Sequence, residues 1–148
     1  MNPNELSQIH SAAFTMSRPW STQEFEALLR NKHTQLFTCP QGFALVQVIA
    51  DEAELLTIAV HPDAQGKGAG GTLMSKWMAS VDAGEAFLEV AADNDAAKHL
   101  YTVHGFEEVA RRSGYYARDL GDSIDAIVMR RALKVRQSTR NPLYLASC

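Results

Sequence analysis

The 148-residue chain is 46% hydrophobic and 21% charged, enough apolar material for one domain with a buried core and too little length to favour a second. A formal net charge of −3 argues against a general nucleic-acid binder, while it suits an enzyme that receives a basic peptide. Cys39 and Cys148 are too few for a disulfide framework and carry no metal-ligand spacing. No apolar run nears the roughly 20 residues of a membrane span, and the first residues lack a signal-peptide layout, so a cytoplasmic protein without metal or membrane partner is expected, monomeric or dimeric.

Along residues 4–14, Leu6, Ile9, Ala12 and Ala13 fall at helical spacing. Ser21 followed by Glu24 is a capping-box pattern, Phe25, Leu28 and Leu29 form the stripe of the helix it starts, and Trp20 stands where it can staple that helix to its approach. Leu36–Thr38 and Phe43–Ala50 read as strands around a Pro40-Gln41-Gly42 turn, and the polar Asp51–Glu54 segment turns the second back against Leu55–Val60. These strands are apolar on both faces, which places them inside a covered sheet.

Leu73, Met74, Trp77, Met78 and Val81 describe one buried helix face, with Gly84 as its stop. Ala86–Val90 is the next strand, and a single helical crossover makes it parallel to Leu55–Val60. Asp93 or Asn94 caps a helix through Leu100 and Val103 that ends at His104-Gly105. Phe106–Arg112 and Ile124–Arg130 close the sheet around a Gly114–Gly121 loop, and a basic tail follows Arg131, with residues from about 132 to 148 read as a frayed terminus. The fold class is α+β, in α/β layers: a mixed, mostly antiparallel sheet flanked by helices, with one parallel strand–helix–strand unit.

Between that unit's first strand and its helix lies Gln65-Gly66-Lys67-Gly68-Ala69-Gly70-Gly71. Glycines opening a helix let backbone approach a ligand, and the unpaired N–H groups of the first turn favour a phosphate. Gly66, Gly68 and Gly71 satisfy a dinucleotide fingerprint. Against it, His61–Gln65 separate strand from glycine by five residues including a proline, and the preceding strands read as antiparallel. A triphosphatase loop fails because Gly71-Thr72 lacks the lysine it needs.

Gln65-x-x-Gly68-x-Gly70, preceded by Ile58-Ala59-Val60-His61-Pro62, resembles the pyrophosphate-binding motif of the GCN5-related N-acetyltransferases. Leu88-Glu89-Val90, Asn94 and Leu100-Tyr101 with Gly105-Phe106 match further family positions in order. Within the superfamily, Arg18-Pro19-Trp20-Ser21, Arg112 with Tyr115-Tyr116, and Asp125 to Met129 resemble the RimI-type ribosomal-protein-alanine N-acetyltransferases over nearly the whole chain. Departures are a short amino terminus, which predicts loss of the usual first strand, Ala91 where an arginine is common, and Gly71 where a larger residue is common.

The resemblance implies acetyl transfer from acetyl coenzyme A to a protein α-amine, in that family the amino terminus of a ribosomal protein. It assigns coenzyme binding to Ile58, Ala59, Val60, Gln65, Gly66, Lys67, Gly68, Ala69, Gly70, Gly71, Asn94 and Tyr101. An α-amine with a pKa of roughly 7.7 to 8.0 must lose a proton before it attacks a thioester. Glu89 is the expected base, directly or through a water, with a simple ion pair to a nearby Arg or Lys as its alternative. Tyr101 is the expected donor to the leaving thiolate, against a plain core role. A backbone N–H near Ile58–Val60 is expected to hold the developing oxyanion where the strand splays or bulges. Trp20, Tyr115 and Tyr116 are expected to line the acceptor cleft, and Cys39 is read as an inert thiol. A lysine side chain or small amine as acceptor, and a coenzyme- or dinucleotide-binding module without catalysis, are the alternatives.

Overall fold

The computed structural model describes residues 1–14, 18–116 and 123–133, so the tail beyond residue 133 and most of the Gly114–Gly121 loop lie outside the described residues. Helix α1 (Pro3–Ala13) comes first, with Asn2 accepting the Glu5 N–H at 2.8 Å as its cap. Among the described residues no strand precedes it.

Helix α2 (Thr22–Arg30) opens on the predicted capping box: the Ser21 hydroxyl accepts the Glu24 N–H at 3.2 Å and the Glu24 carboxylate accepts the Ser21 N–H at 3.1 Å. The Trp20 ring lies 5.6 Å from Phe25, four residues inside the helix, which is the predicted hydrophobic staple. Leu6 and Phe25 are buried against Phe43, Leu45 and Ala59, the core on one face of the sheet.

The strands are β1 (Thr34–Cys39), β2 (Gly42–Ile49), β3 (Glu52–Val60), β4 (Glu85–Ala91), β5 (Glu107–Tyr116) and β6 (Ile124–Ala132), in spatial order β1-β2-β3-β4-β6-β5. Every neighbouring pair is antiparallel except β3 with β4. This is the mixed, mostly antiparallel sheet that the sequence predicts, and one parallel pair cannot make the doubly wound sheet of a dinucleotide fold.

Two boundaries move. The Asp51–Glu54 turn shrinks to Ala50-Asp51, with Ala50 at φ +55°, because Glu52 and Glu54 alternate with buried Ala53 and Leu55 as strand residues. Strand β5 likewise runs through Gly114 to Tyr116, where a loop was expected.

Helix α3 (Ala69–Ser80) buries Leu73, Met74 and Trp77, and α4 (Asp95–Val103) buries Tyr101. They cover the other face, joining Leu55, Leu88, Val90, Phe106, Ile127 and Met129 in the larger core. Gly105, at φ +87°, ends α4 as expected, with the Phe106 N–H donating back to the Tyr101 carbonyl at 3.0 Å.

Gly84 does not cap α3, whose last turn closes at Val81. Its N–H instead donates to Asp51 Oδ1 at 2.9 Å, and a Cβ there would lie 2.4 Å from Asp51 Oδ2, so a larger residue would displace the carboxylate that ties Gly84 to the β2–β3 turn.

Candidate active site

The parallel pairing of β3 with β4 runs from Glu52 opposite Glu85 to Leu55 opposite Leu88 and stops. On its other edge β3 carries one extra residue, Leu56, because Thr57 pairs with Leu45 while Leu55 pairs with Val46. Past this bulge the strands diverge around a cleft of about 680 Å³. Successive residues direct their backbone polar groups to alternate edges, so part of the Ile58–Val60 backbone addresses the cleft instead of a β4 partner.

The loop forms the far wall. Gly66 and Gly68 have φ of +76° and +83°, and no atom lies within 4 Å of a Cβ built at either, so both positions require glycine for conformation and not for space. Gly68 is the N-cap of α3, and the Gln65 amide reaches back to the Val60 carbonyl at 2.9 Å, folding the loop onto its strand. Asn94 caps α4 by accepting the Ala97 N–H at 3.2 Å, and the start of that helix lines the same cleft. Two helix N-termini with their orphan N–H groups thus face one space, an arrangement that fits an anionic ligand.

Of the expected coenzyme contacts, Ile58, Ala59, Val60, Gln65, Gly66, Gly68, Ala69, Gly70, Asn94 and Tyr101 line the cleft. Lys67 and Gly71 do not: Lys67 is exposed, and a Cβ at Gly71 would meet His104 of the α4 end at 3.7 Å.

Glu89 lies one residue past the point of divergence, its side chain 27% exposed, and receives Arg112 Nη2 at 3.2 Å. The ion pair expected as the alternative to a base is therefore present, and it leaves Glu89 lining the cleft. Tyr101 joins core and cleft as well: it is 6% exposed and packs edge-on against Phe106, yet lines the cavity. Burial, and then the neighbouring Tyr116, push its hydroxyl well above the usual phenol range, so it keeps its proton.

Trp20 and Tyr116 line the cleft, whereas Tyr115 does not, being 53% exposed and beneath the Arg112 guanidinium at 5.3 Å. Strand alternation separates the two tyrosines. Cys39 lies outside the cleft with its thiol raised by burial. Among the described residues, no three His, Cys, Asp or Glu side chains stand together as a metal site, and no helix is long and apolar enough to cross a membrane.

His10, Phe14 and the Arg18 side chain, to which no motif in the sequence gives a role, also line the cleft. His10 is buried on α1, stacked 4.2 Å from Phe14 and 5.1 Å from Trp20, and its Nδ1 accepts the Trp20 N–H at 3.1 Å. The signal of its burial was available, because His10 falls four residues after Leu6 on the helix's apolar stripe. Arg18 makes a two-pronged pair with Glu24 at 2.7 and 3.0 Å, which with the α2 cap holds that carboxyl down at about 2.

Residues 4–106 match the model of the acetyltransferase (GNAT) family. The chain is 36% identical over 118 residues to the ribosomal protein bS18-alanine N-acetyltransferase of Escherichia coli (strain K12), covering 75% of this chain and 79% of that protein. It is 32% identical over 133 residues to the N-alpha-acetyltransferase RimI of Mycobacterium tuberculosis, covering 84% and 82%. The crystal structure of the ribosomal-protein-S18-alanine N-acetyltransferase from Escherichia coli superposes with a TM-score of 0.82 at 31% identity, over 94% of this chain and 92% of that one. Strand divergence, glycine loop and relatives agree: the chain belongs to the acetyltransferase (GNAT) family.

Proposed function

We propose that this protein transfers acetyl from acetyl coenzyme A to the α-amine at a protein's amino terminus, with a ribosomal protein in the cytoplasm as the favoured acceptor. The observation that carries the reading is the single cleft lined by the glycine loop at one side, Glu89 and Tyr101 at the strand divergence, and Trp20 with Tyr116 at the other side. The name of the Escherichia coli relative, a ribosomal-protein-alanine N-acetyltransferase, favours this acceptor.

Acetyl coenzyme A supplies an activated acyl group as a thioester. The N–H groups of residues 66–70 and the two helix N-termini would hold its phosphates, and the Ile58–Val60 backbone would address its acyl end. Glu89 takes the proton from the ammonium form of the acceptor so that nitrogen can attack. A backbone N–H of Ile58–Val60 stabilises the carbonyl oxygen as negative charge develops on it. Tyr101, kept protonated by burial, donates to the departing sulfur, whose thiol has a pKa of about 8.5 as an ordinary thiol, and recovers its proton from the second hydrogen that the nitrogen sheds as the neutral amide forms.

Thermal unfolding with acetyl coenzyme A, coenzyme A and NAD tests the donor. At a hundredfold excess over Kd, acetyl coenzyme A should stabilise the fold by about 2.7 kcal/mol, roughly 5–10 °C for this length, and stabilisation by NAD alone would reject the reading. Comparing the ribosomal-protein masses of cells with and without the gene tests the acceptor: one acetyl group missing from one amino terminus names it, and unchanged masses favour a lysine or small-amine acceptor.

Tyr101→Phe tests the donor role. It removes one hydroxyl and keeps the ring that packs on Phe106. Turnover should fall about 10- to 100-fold, with the KM for acetyl coenzyme A little changed, the loss of one hydrogen bond to a charged group. Full activity would leave Tyr101 as a core residue alone.

A further inference from the structure

Glu89 borders two cavities. Leu88 and Glu89 line the main cleft and also a smaller cavity of about 230 Å³, whose other walls include Glu52, Glu54, Phe87, Arg112 and Val128. The strand register explains the meeting. Glu54 stands opposite Phe87 in the parallel pair, and Glu89 is two residues further along β4, so both carboxylates rise from the same face of the sheet. Arg112 reaches the same face from β5 and bonds Glu89 at 3.2 Å, its guanidinium seated over the Tyr115 ring. Neither helix α1 nor α2 covers this part, since their apolar contacts are with β1, β2 and β3.

We propose that Glu54 is a positioning residue for the reaction: with Arg112 it sets, from the smaller cavity, how readily Glu89 takes the proton of an amine bound in the main cleft. The proposal rests on Glu89 being the base. Arg112 alone would hold Glu89 as a satisfied anion and make it a poor base, whereas a second carboxylate beside it offsets that attraction. The interaction is visible from the other partner: the Glu54 carboxyl is held above the usual range, first by partial removal from water and then by the charge of Glu89, with Arg112 opposing.

The remaining titratable group lining the smaller cavity is Glu52, further down β3 and exposed, and on the same face beyond it lie Glu85 and Arg130, which pair with each other. Around the main cleft they are His10, Arg18, Asp93, Tyr101 and Tyr116. Arg18 is engaged by Glu24, and His10 is kept neutral by burial down to about pH 4. The proton itself passes from the amine nitrogen to a Glu89 oxygen; Glu54 changes the ease of that transfer and does not receive it.

The experiment is the pH profile of kcat/KM with one acceptor throughout, a short peptide with a free amino-terminal alanine, so that differences in the acid limb belong to the enzyme. Glu54→Gln should move the acid limb down by about half a pH unit and Arg112→Gln should move it up by about as much, the order expected of a nearby unit charge in a water-like dielectric. The double variant should return near the parent limb. Glu54→Asp, which restores the charge, should do the same. A limb unmoved by Glu54→Gln, or a loss of rate equal at every pH, overturns the proposal while Glu89→Gln still abolishes the limb. A limb that survives in Glu89→Gln removes Glu89 as base and the proposal with it.

Discussion

Glu89→Gln should lower kcat by about 10²- to 10⁴-fold at neutral pH, the range that a positioned general base contributes. The α-amine of a peptide has a pKa of roughly 7.7 to 8.0, so about a tenth is neutral at pH 7 and most is neutral at pH 9. Without a base the variant must wait for that neutral fraction. Its deficit against the parent enzyme should therefore shrink by roughly tenfold between pH 7 and pH 9. Initial rates at both pH values check this, and a deficit of one size at both would reject Glu89 as base. Misfolding is a poor alternative explanation. The only bond that the substitution weakens among those observed is the Arg112 pair, with side chains 56% and 27% exposed, and such pairs contribute about 0 to 1 kcal/mol.

The second large effect is on stability in acid, and it comes from His10. Its ring is 3% exposed, and burial lowers its pKa from 6.5 to about 4, with Glu24 opposing and Arg18 adding a little. A base whose folded pKa lies below its unfolded value binds a proton more readily when unfolded. Its neutral form is therefore fully accommodated above pH 6.5, and stability drains away as pH falls from 6.5 towards 4. The full loss corresponds to about 3 kcal/mol. Urea midpoints of the parent and of His10→Gln between pH 7 and pH 4 measure it. Carboxylates titrate in both proteins, so the difference isolates the histidine; parallel curves would mean that His10 is not held neutral.

Much of the fold was legible because the local signals agreed with one another. The Ser21–Glu24 box, the Trp20 staple, the Leu73-Met74-Trp77 stripe and the Gly105 stop all depend on residues within a few positions, and all are present. The errors have the opposite character. Gly84 has the form of a helix terminator, yet the residue it contacts is Asp51, 33 positions away. Glu52 and Glu54 looked like turn residues because their polarity was read without the alternation that Ala53 and Leu55 supply.

The site divides along the same line. The loop glycines act through their own backbone and Asn94 through a side-chain cap three residues on, so both are read directly, whereas Gly71 and Lys67 lie within the same glycine-rich run without reaching the cleft. Tyr115 and Tyr116 are adjacent in sequence, and only strand alternation decides which one faces inward. The Arg112 pair and the placing of Glu54 near Glu89 depend on register across four strands, β3, β4, β6 and β5, which no local pattern carries. A histidine on an apolar helix stripe carries no local sign that it forms part of a wall, which is the position of His10.

Leu55 and Leu88, the last residues of the parallel ladder, belong at once to the floor of the cleft and to the larger core. The floor therefore cannot be reshaped on its own. Trimming either leucine to widen the space would leave a void counted against the stability of the whole domain, about 2 to 5 kcal/mol for a buried leucine reduced to alanine. The rim is built differently: Arg18 and Glu24 are exposed, and Tyr116 stands at the end of an edge strand. Substitution is therefore cheap at that rim and expensive at the floor.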